Sequence, residues 1–152
     1  MVSRYALEIR AATPLEAPGL ATLLAEAGHI AEAAAIADRL ASPQQSSGIA
    51  LVALQWGPPS GLVILHWYQT ILAPRPIAQI TTLLVAVEDR RKGIGRMLIK
   101  AAAQAARTAG CGDMEILAGG EEPSLHAFCS ATGFEPAGSR FIRLLRKRVY
   151  AG

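Results

Sequence analysis

Residues 85–99, Val85-Ala86-Val87-Glu88-Asp89-Arg90-Arg91-Lys92-Gly93-Ile94-Gly95-Arg96-Met97-Leu98-Ile99, constrain this chain more than any other stretch. Ile80 to Val87 is rich in β-branched and aliphatic residues and reads as a buried strand. Gly95 to Thr108 places Met97, Leu98, Ala101, Ala102 and Ala105 at helical spacing, and Gly110 follows where a C-terminal stop belongs. Between them lies a short basic turn. Gly93 and Gly95 carry no side chain, so a ligand can approach the backbone N–H groups there. Those groups sit at a helix N-terminus, where unpaired donors and the helix dipole favour an anion. Arg90, Arg91, Lys92 and Arg96 add positive charge. The implied chemistry is capture of a phosphate or pyrophosphate.

Arg90-x-x-Gly93-x-Gly95, following a strand that ends Val85-Ala86-Val87-Glu88, resembles the acetyl-coenzyme A motif of the GNAT N-acetyltransferase superfamily. A second match lies downstream. Leu125-His126-Ala127-Phe128-Cys129-Ser130-Ala131-Thr132-Gly133-Phe134 is similar to the family helix that usually reads Phe-Tyr-x-x-x-Gly-Phe. The resemblance extends over nearly all of the chain. It implies a single acetyltransferase domain over 1–152, of α/β (α+β) class, with a mixed, mostly antiparallel sheet of six or seven strands and about four flanking helices. It also implies that strands 79–87 and 114–118 are parallel neighbours that splay apart into a cofactor slot.

Length and composition fit that expectation. A chain of 152 residues with 51% hydrophobic content buries enough surface for one domain and is not a disordered protein. The net charge of +3 is only mildly basic. Basic residues gather at 90–107 and in Arg140, Arg143, Arg146, Lys147 and Arg148; the latter read as a solvated strand and terminus, and no nucleic-acid partner is expected. Cys111 and Cys129 have no metal spacing and form no disulfide framework, so reduced thiols in a cytoplasmic protein are expected, with no metal. The apolar stretch from Gly61 to Ala73 is interrupted by His66 and Gln69 and is too short to span a bilayer; no signal peptide and no membrane partner are expected.

The rest of the chain reads as one series of elements. Tyr5 to Arg10 is a first strand. Thr13-Pro14-Leu15-Glu16 opens a helix with a capping box, Leu20, Leu23, Leu24 and Ala27 form its inward stripe, and Pro18 fits its first turns poorly. A second helix runs from Ile30 to Leu40. Gly48–Trp56 and Leu62–Leu72 form a hairpin through Gly57-Pro58-Pro59-Ser60-Gly61. Met114–Ala118 is a short strand, Pro123–Thr132 a helix stopped by Gly133, and Glu135–Val149 a final strand pair.

The resemblance implies transfer of an acetyl group from acetyl-coenzyme A to a primary amine of a small molecule or peptide, directly, in a ternary complex. The competing reading is a non-catalytic acyl-coenzyme A-binding module for sensing or interaction. The resemblance assigns the cofactor to Val85, Val87, Arg90, Arg91, Lys92, Gly93, Ile94, Gly95, Arg96, His126 and Phe128. It gives the Val85 backbone N–H an oxyanion role. Relatives commonly carry a glutamate two or three residues into the central strand; here that stretch is Ile80-Thr81-Thr82-Leu83, with no base. They also carry a tyrosine where this chain has Cys129, which is therefore the candidate acid, against a plainer reading as packing. His126 is a candidate base against a solvent-facing alternative. His66 either lines a substrate groove or is a hydrogen-bonded sheet residue. A homodimer is common among relatives.

Overall fold

Two strands of this chain run parallel for four residues and then part, and the rest of the fold is arranged around that parting. The computed structural model describes residues 7–41, 47–117, 123–138, 141 and 143–146. In chain order they form β1 (Glu8–Ala11), α1 (Ala17–Glu26), α2 (Ala33–Leu40), β2 (Gly48–Leu54), β3 (Gly61–Tyr68), β4 (Ile77–Val85), α3 (Ile94–Thr108), β5 (Asp113–Ile116) and α4 (Pro123–Ala131). The sheet has five strands in the order β1-β2-β3-β4-β5. The first four are antiparallel, and β5 joins β4 in parallel through the α3 crossover.

Five strands, rather than six or seven, is a correction. The expected final pair at 135–149 is absent among the described residues there, and the rest of that range lies outside them. The chain reverses after α4 instead: Gly133 has φ +94°, and the Phe134 N–H donates to the Cys129 carbonyl at 2.9 Å. This is a glycine-ended helix with Phe134 folded back onto the core.

Strand alternation sends apolar side chains to both faces. Leu51, Ala53, Val63, Leu65, Ala78 and Ile80 meet Ile94, Leu98, Ile99, Ala102 and Ala106 of α3. On the other face Ala50, Val52, Leu62 and Ala86 meet Ala17, Leu20 and Leu23 of α1 and Ile36 of α2. The buried stripe of α3 is therefore centred on Leu98 and Ala102, while Met97 is exposed. Pro18 is no misfit. Residues 14–16 form a separate 3-10 turn, so Pro18 falls in the first turn of α1, where no N–H partner is lost. The Thr13/Glu16 capping box serves that 3-10 turn. Glu16 is also ion-paired to Arg10, with side-chain exposures of 7% and 39%. Burial pushes the Glu16 carboxyl up, but hydrogen bonds from Thr13 and Arg10 and the Arg10 charge outweigh it, leaving the group below its ordinary range.

β3 ends at Tyr68, not Leu72, because Gln69 and Thr70 build a turn. Gln69 Nε2 donates to the carbonyls of Thr70 and Ala73, and Ala73 N–H donates to Thr70 Oγ1. β4 carries the decisive irregularity. Ile64 pairs with Thr82 but Leu65 with Ile80, so Thr81 is an extra residue in the ladder, a β-bulge.

Candidate active site

The β4–β5 ladder runs from Ile77↔Asp113 to Ile80↔Ile116 and stops there. Thr81 is the next residue of β4, so the bulge and the end of the parallel ladder coincide. Beyond it, the Ala86 N–H donates to the Ser60 carbonyl at 2.8 Å, which turns the N–H of every second residue toward β3. The N–H groups of Leu83 and Val85 then point to the opposite edge, where β5 has left the ladder.

That edge leads into the basic turn. Asp89 and Arg90 still donate to backbone carbonyls, of Ala86 and Val87, and Met97 donates to that of Gly93. From Arg91 to Arg96 no N–H has an acceptor among the described residues, and the α3 N-cap, Gly93, supplies no side-chain cap. Arg91 and Gly93 have φ of +66° and +81°. A left-handed non-glycine residue is uncommon and costs energy, and it turns successive amides inward as an anion-binding concavity. A Cβ on Gly93 would meet nothing within 4 Å, so that side of the turn is open. Arg90, Arg91, Lys92 and Arg96 are exposed around it. Lys92 is ion-paired with Asp89 at 3.2 Å, an exposed pair that restrains the side chain little. Unpaired amides, a helix N-terminus and surrounding cations fit the phosphates of a coenzyme A.

The predicted residues divide by role. Ile94 is buried in the core, so only its backbone reaches the turn. Gly95 does not leave open space: a Cβ there would lie 3.2 Å from Phe128 Cζ and 3.8 Å from Val85 Cγ2. Its smallness lets α3 meet α4 at the rim of the slot. Val87 is exposed, and its N–H donates to Glu26 Oε2 at 3.4 Å, a contact between α1 and the turn that sequence spacing did not reveal. His126 is exposed on α4 and Phe128 half-buried. Cys129 is buried, and burial pushes its thiol up, as it does for Cys111. Its backbone carbonyl accepts from the Phe134 N–H as part of the Gly133 helix stop.

Between α3 and α4 runs a groove of about 740 Å³, with Arg96, Lys100 and Arg107 along one wall and Thr132 and Phe134 on the other. Because β4 begins at Ile77, the position two or three residues into it is Gln79–Ile80, where again no carboxylate stands. Among the described residues, no group of three or more His, Cys, Asp or Glu side chains could hold a metal ion, and no helix is long and apolar enough to cross a membrane.

A sheet split beside a crossover helix with a bare, cationic N-terminus defines an acetyltransferase fold. The acetyltransferase (GNAT) family profile matches residues 19–134, and the chain belongs to that family. A putative acetyltransferase from Agrobacterium tumefaciens is similar at 29% identity and a TM-score of 0.78, over 90% of this chain and 99% of that one. An aminoglycoside acetyltransferase from an uncultured soil metagenomic sample, in complex with sisomicin, has 22% identity and a TM-score of 0.75, over 92% and 97%. Glucosamine-6-phosphate N-acetyltransferase from Arabidopsis thaliana has 12% identity and a TM-score of 0.81, over 93% and 99%. At those last two identities the likeness is one of fold. No curated protein matches the sequence.

Proposed function

We propose that this acetyltransferase uses acetyl-coenzyme A to acetylate a primary amine by direct transfer, with residues 1–152 acting as one domain. The observation that carries the reading is the run of unpaired amides from Arg91 to Arg96, continuous with the free edge of β4 at Leu83 and Val85. The turn amides and the flanking cations hold the pyrophosphate. The Leu83 and Val85 edge pairs with the amide groups of the pantetheine arm, and the Val85 N–H donates to the carbonyl oxygen as it gains charge. Acetyl-coenzyme A supplies the acetyl group as a thioester. Its thiol, with a pKa near ~8.5, leaves readily as a thiolate, so the buried Cys129 has no required role as an acid.

The aminoglycoside and amino-sugar enzymes among the structural neighbours set the first compounds of an acceptor panel. The test combines thermal shift with acetyl-coenzyme A and thiol release with each amine. Stabilisation by mass action is expected, ~2.7 kcal/mol at a hundred times Kd, together with acceptor-dependent thiol release. Stabilisation without release from any amine would favour the non-catalytic module.

A further inference from the structure

The free edge of β4 presents three amides in line, and one of them is taken. Ala86 is extended and donates to β3, so the Val87 N–H falls in the same set as those of Leu83 and Val85 and points away from β3. Leu83 and Val85 face the gap that β5 leaves. Val87 donates instead to Glu26 Oε2 at 3.4 Å, a carboxylate 61 residues away in sequence. Glu26 is the last residue of α1, which packs on the face of the sheet opposite α3.

The helix gains nothing from a carboxylate at this position. No cation stands in the last turn of α1, where the helix dipole disfavours negative charge. Glu26 forms no ion pair among the described residues. Its side chain is exposed, and its bond to Val87 is long for an N–H···O bond, so a better-placed acceptor displaces it.

We infer that Glu26 occupies the Val87 amide while the slot is empty, is displaced by the arriving cofactor, and then becomes the contact for the positive charge of the acceptor amine. The inference rests on the function proposed above. With the pyrophosphate on the 91–96 turn and the acetyl carbonyl on the Val85 N–H, the pantetheine arm has to pass Val87, whose amide lies between them. An amide carbonyl of the arm replaces the carboxylate there, and a negative charge leaves the path of the phosphates. The side chain stays tethered to the end of α1. The backbone nitrogens of Val85 and Val87 are about 7 Å apart in extended chain, a distance that the freed carboxylate covers directly or through one water. An amine nearing the carbonyl from the α1 side arrives as a cation at neutral pH, and Arg90, Arg91 and Lys92 of the turn repel it. Glu26 supplies the opposite sign at that mouth. His66 does not reach it: His66 is in register with Gln79, five residues along β3 from the Gly61–Val85 pair.

The test is isothermal titration of acetyl-coenzyme A, with steady-state kinetics on one good amine, in the native protein, Glu26→Ala, Glu26→Gln and Glu8→Gln. The last removes a carboxylate from β1, at the far edge of the sheet. Alanine is a good helix former at an exposed helix end, so the fold is kept. We expect Glu26→Ala to tighten acetyl-coenzyme A by about three-fold or more and to raise the KM for the amine by about ten-fold or more, with kcat within about three-fold. Glutamine still accepts from Val87 but carries no charge, so Glu26→Gln is expected to tighten the cofactor less and to raise KM as much. Glu8→Gln is expected to change neither. Cofactor affinity that is unchanged or weaker in Glu26→Ala, an unchanged KM for the amine, or equal effects in Glu8→Gln would each overturn the inference and leave the acetyltransferase reading intact. A native protein that binds no acetyl-coenzyme A, or that turns over no amine, removes both.

Discussion

Two helices of this chain begin in opposite ways. The 3-10 turn that leads into α1 is closed by its own side chains: Thr13 accepts from the Leu15 N–H, Glu16 accepts from the Thr13 N–H, and Arg10 neutralises the carboxylate. The α3 start has no side-chain cap, a glycine at the N-cap and unpaired amides from Arg91 to Arg96, ringed by cations instead of a carboxylate. The chain thus contains the means to finish a helix start, and at α3 those means are absent. An internal cap serves stability. An uncapped, left-handed, cationic start costs stability and is retained where an external anion completes it.

The contrast breaks most sharply at α3. Gly95→Asp places a Cβ about 3.2 Å from the Phe128 ring and a negative charge in the proposed anion site. We expect acetyl-coenzyme A affinity to fall by about 100-fold or more and stability by ~1–3 kcal/mol from overpacking. Gly93→Asp separates the two effects, because its Cβ meets nothing; the left-handed backbone costs ~1 kcal/mol and affinity is lost as before. Isothermal titration and denaturant unfolding of both variants check this, and unchanged affinity in two folded variants would remove the turn from the cofactor site.

At the capped start the expectation reverses. Glu16→Gln removes a buried charge partner of Arg10 and weakens the Thr13 bonds. We expect a loss of ~1–3 kcal/mol, with cofactor affinity unchanged. A cofactor effect as large as that of Gly93→Asp would erase the distinction between the two starts. The same carboxylate gives a pH signature. Its folded pKa lies below its unfolded one, so its contribution is present in full above the unfolded value, about 4.3 for a free glutamate, and is lost as pH falls through the lower folded value. Native and Glu16→Gln unfolding curves should therefore converge on acidification, and parallel curves would show that the ion pair stores no folding energy.

The smallest effect is expected at Cys129. Its thiol is buried and pushed up by that burial, so Cys129→Ala is expected to cost ~1 kcal/mol or so and to leave turnover within a few-fold. Full loss of turnover in a stable, cofactor-binding variant would make the thiol an acid after all.

The strand–turn–helix at 77–108, the hairpin around Gly57–Gly61 and the Gly133 stop were legible because each is written in local signals: β-branched runs, glycines at positive φ, a capping pair. The extent of β3 was not, since Gln69 and Thr70 end it through side-chain bonds to the backbone that hydropathy does not register. Nor was the role of Gly95, which looks like its neighbour Gly93 in sequence but faces Phe128 in space. The face of His66 required the register with Gln79, a long-range fact. The bulge did leave a trace. Ala78 and Ile80 share the α3 face with Leu83 and Val85, and an even series that becomes odd marks one inserted residue.

That inserted residue is dispensable to the packing of the strand that holds it. Remove Thr81, and Ile80, Thr82, Leu83, Leu84 and Val85 fall into unbroken alternation, each on the face it occupies now. Packing alone therefore exerts no hold on Thr81. A chain selected only to fold is free to lose it, gaining a straighter strand that β5 can follow to its end. What the extra residue adds is the gap beside it, so a Thr81 deletion separates a contribution to stability from a contribution to use. The shortened chain should still melt cooperatively and should no longer be stabilised by acetyl-coenzyme A; a deletion that leaves that stabilisation intact would show the gap to have another origin.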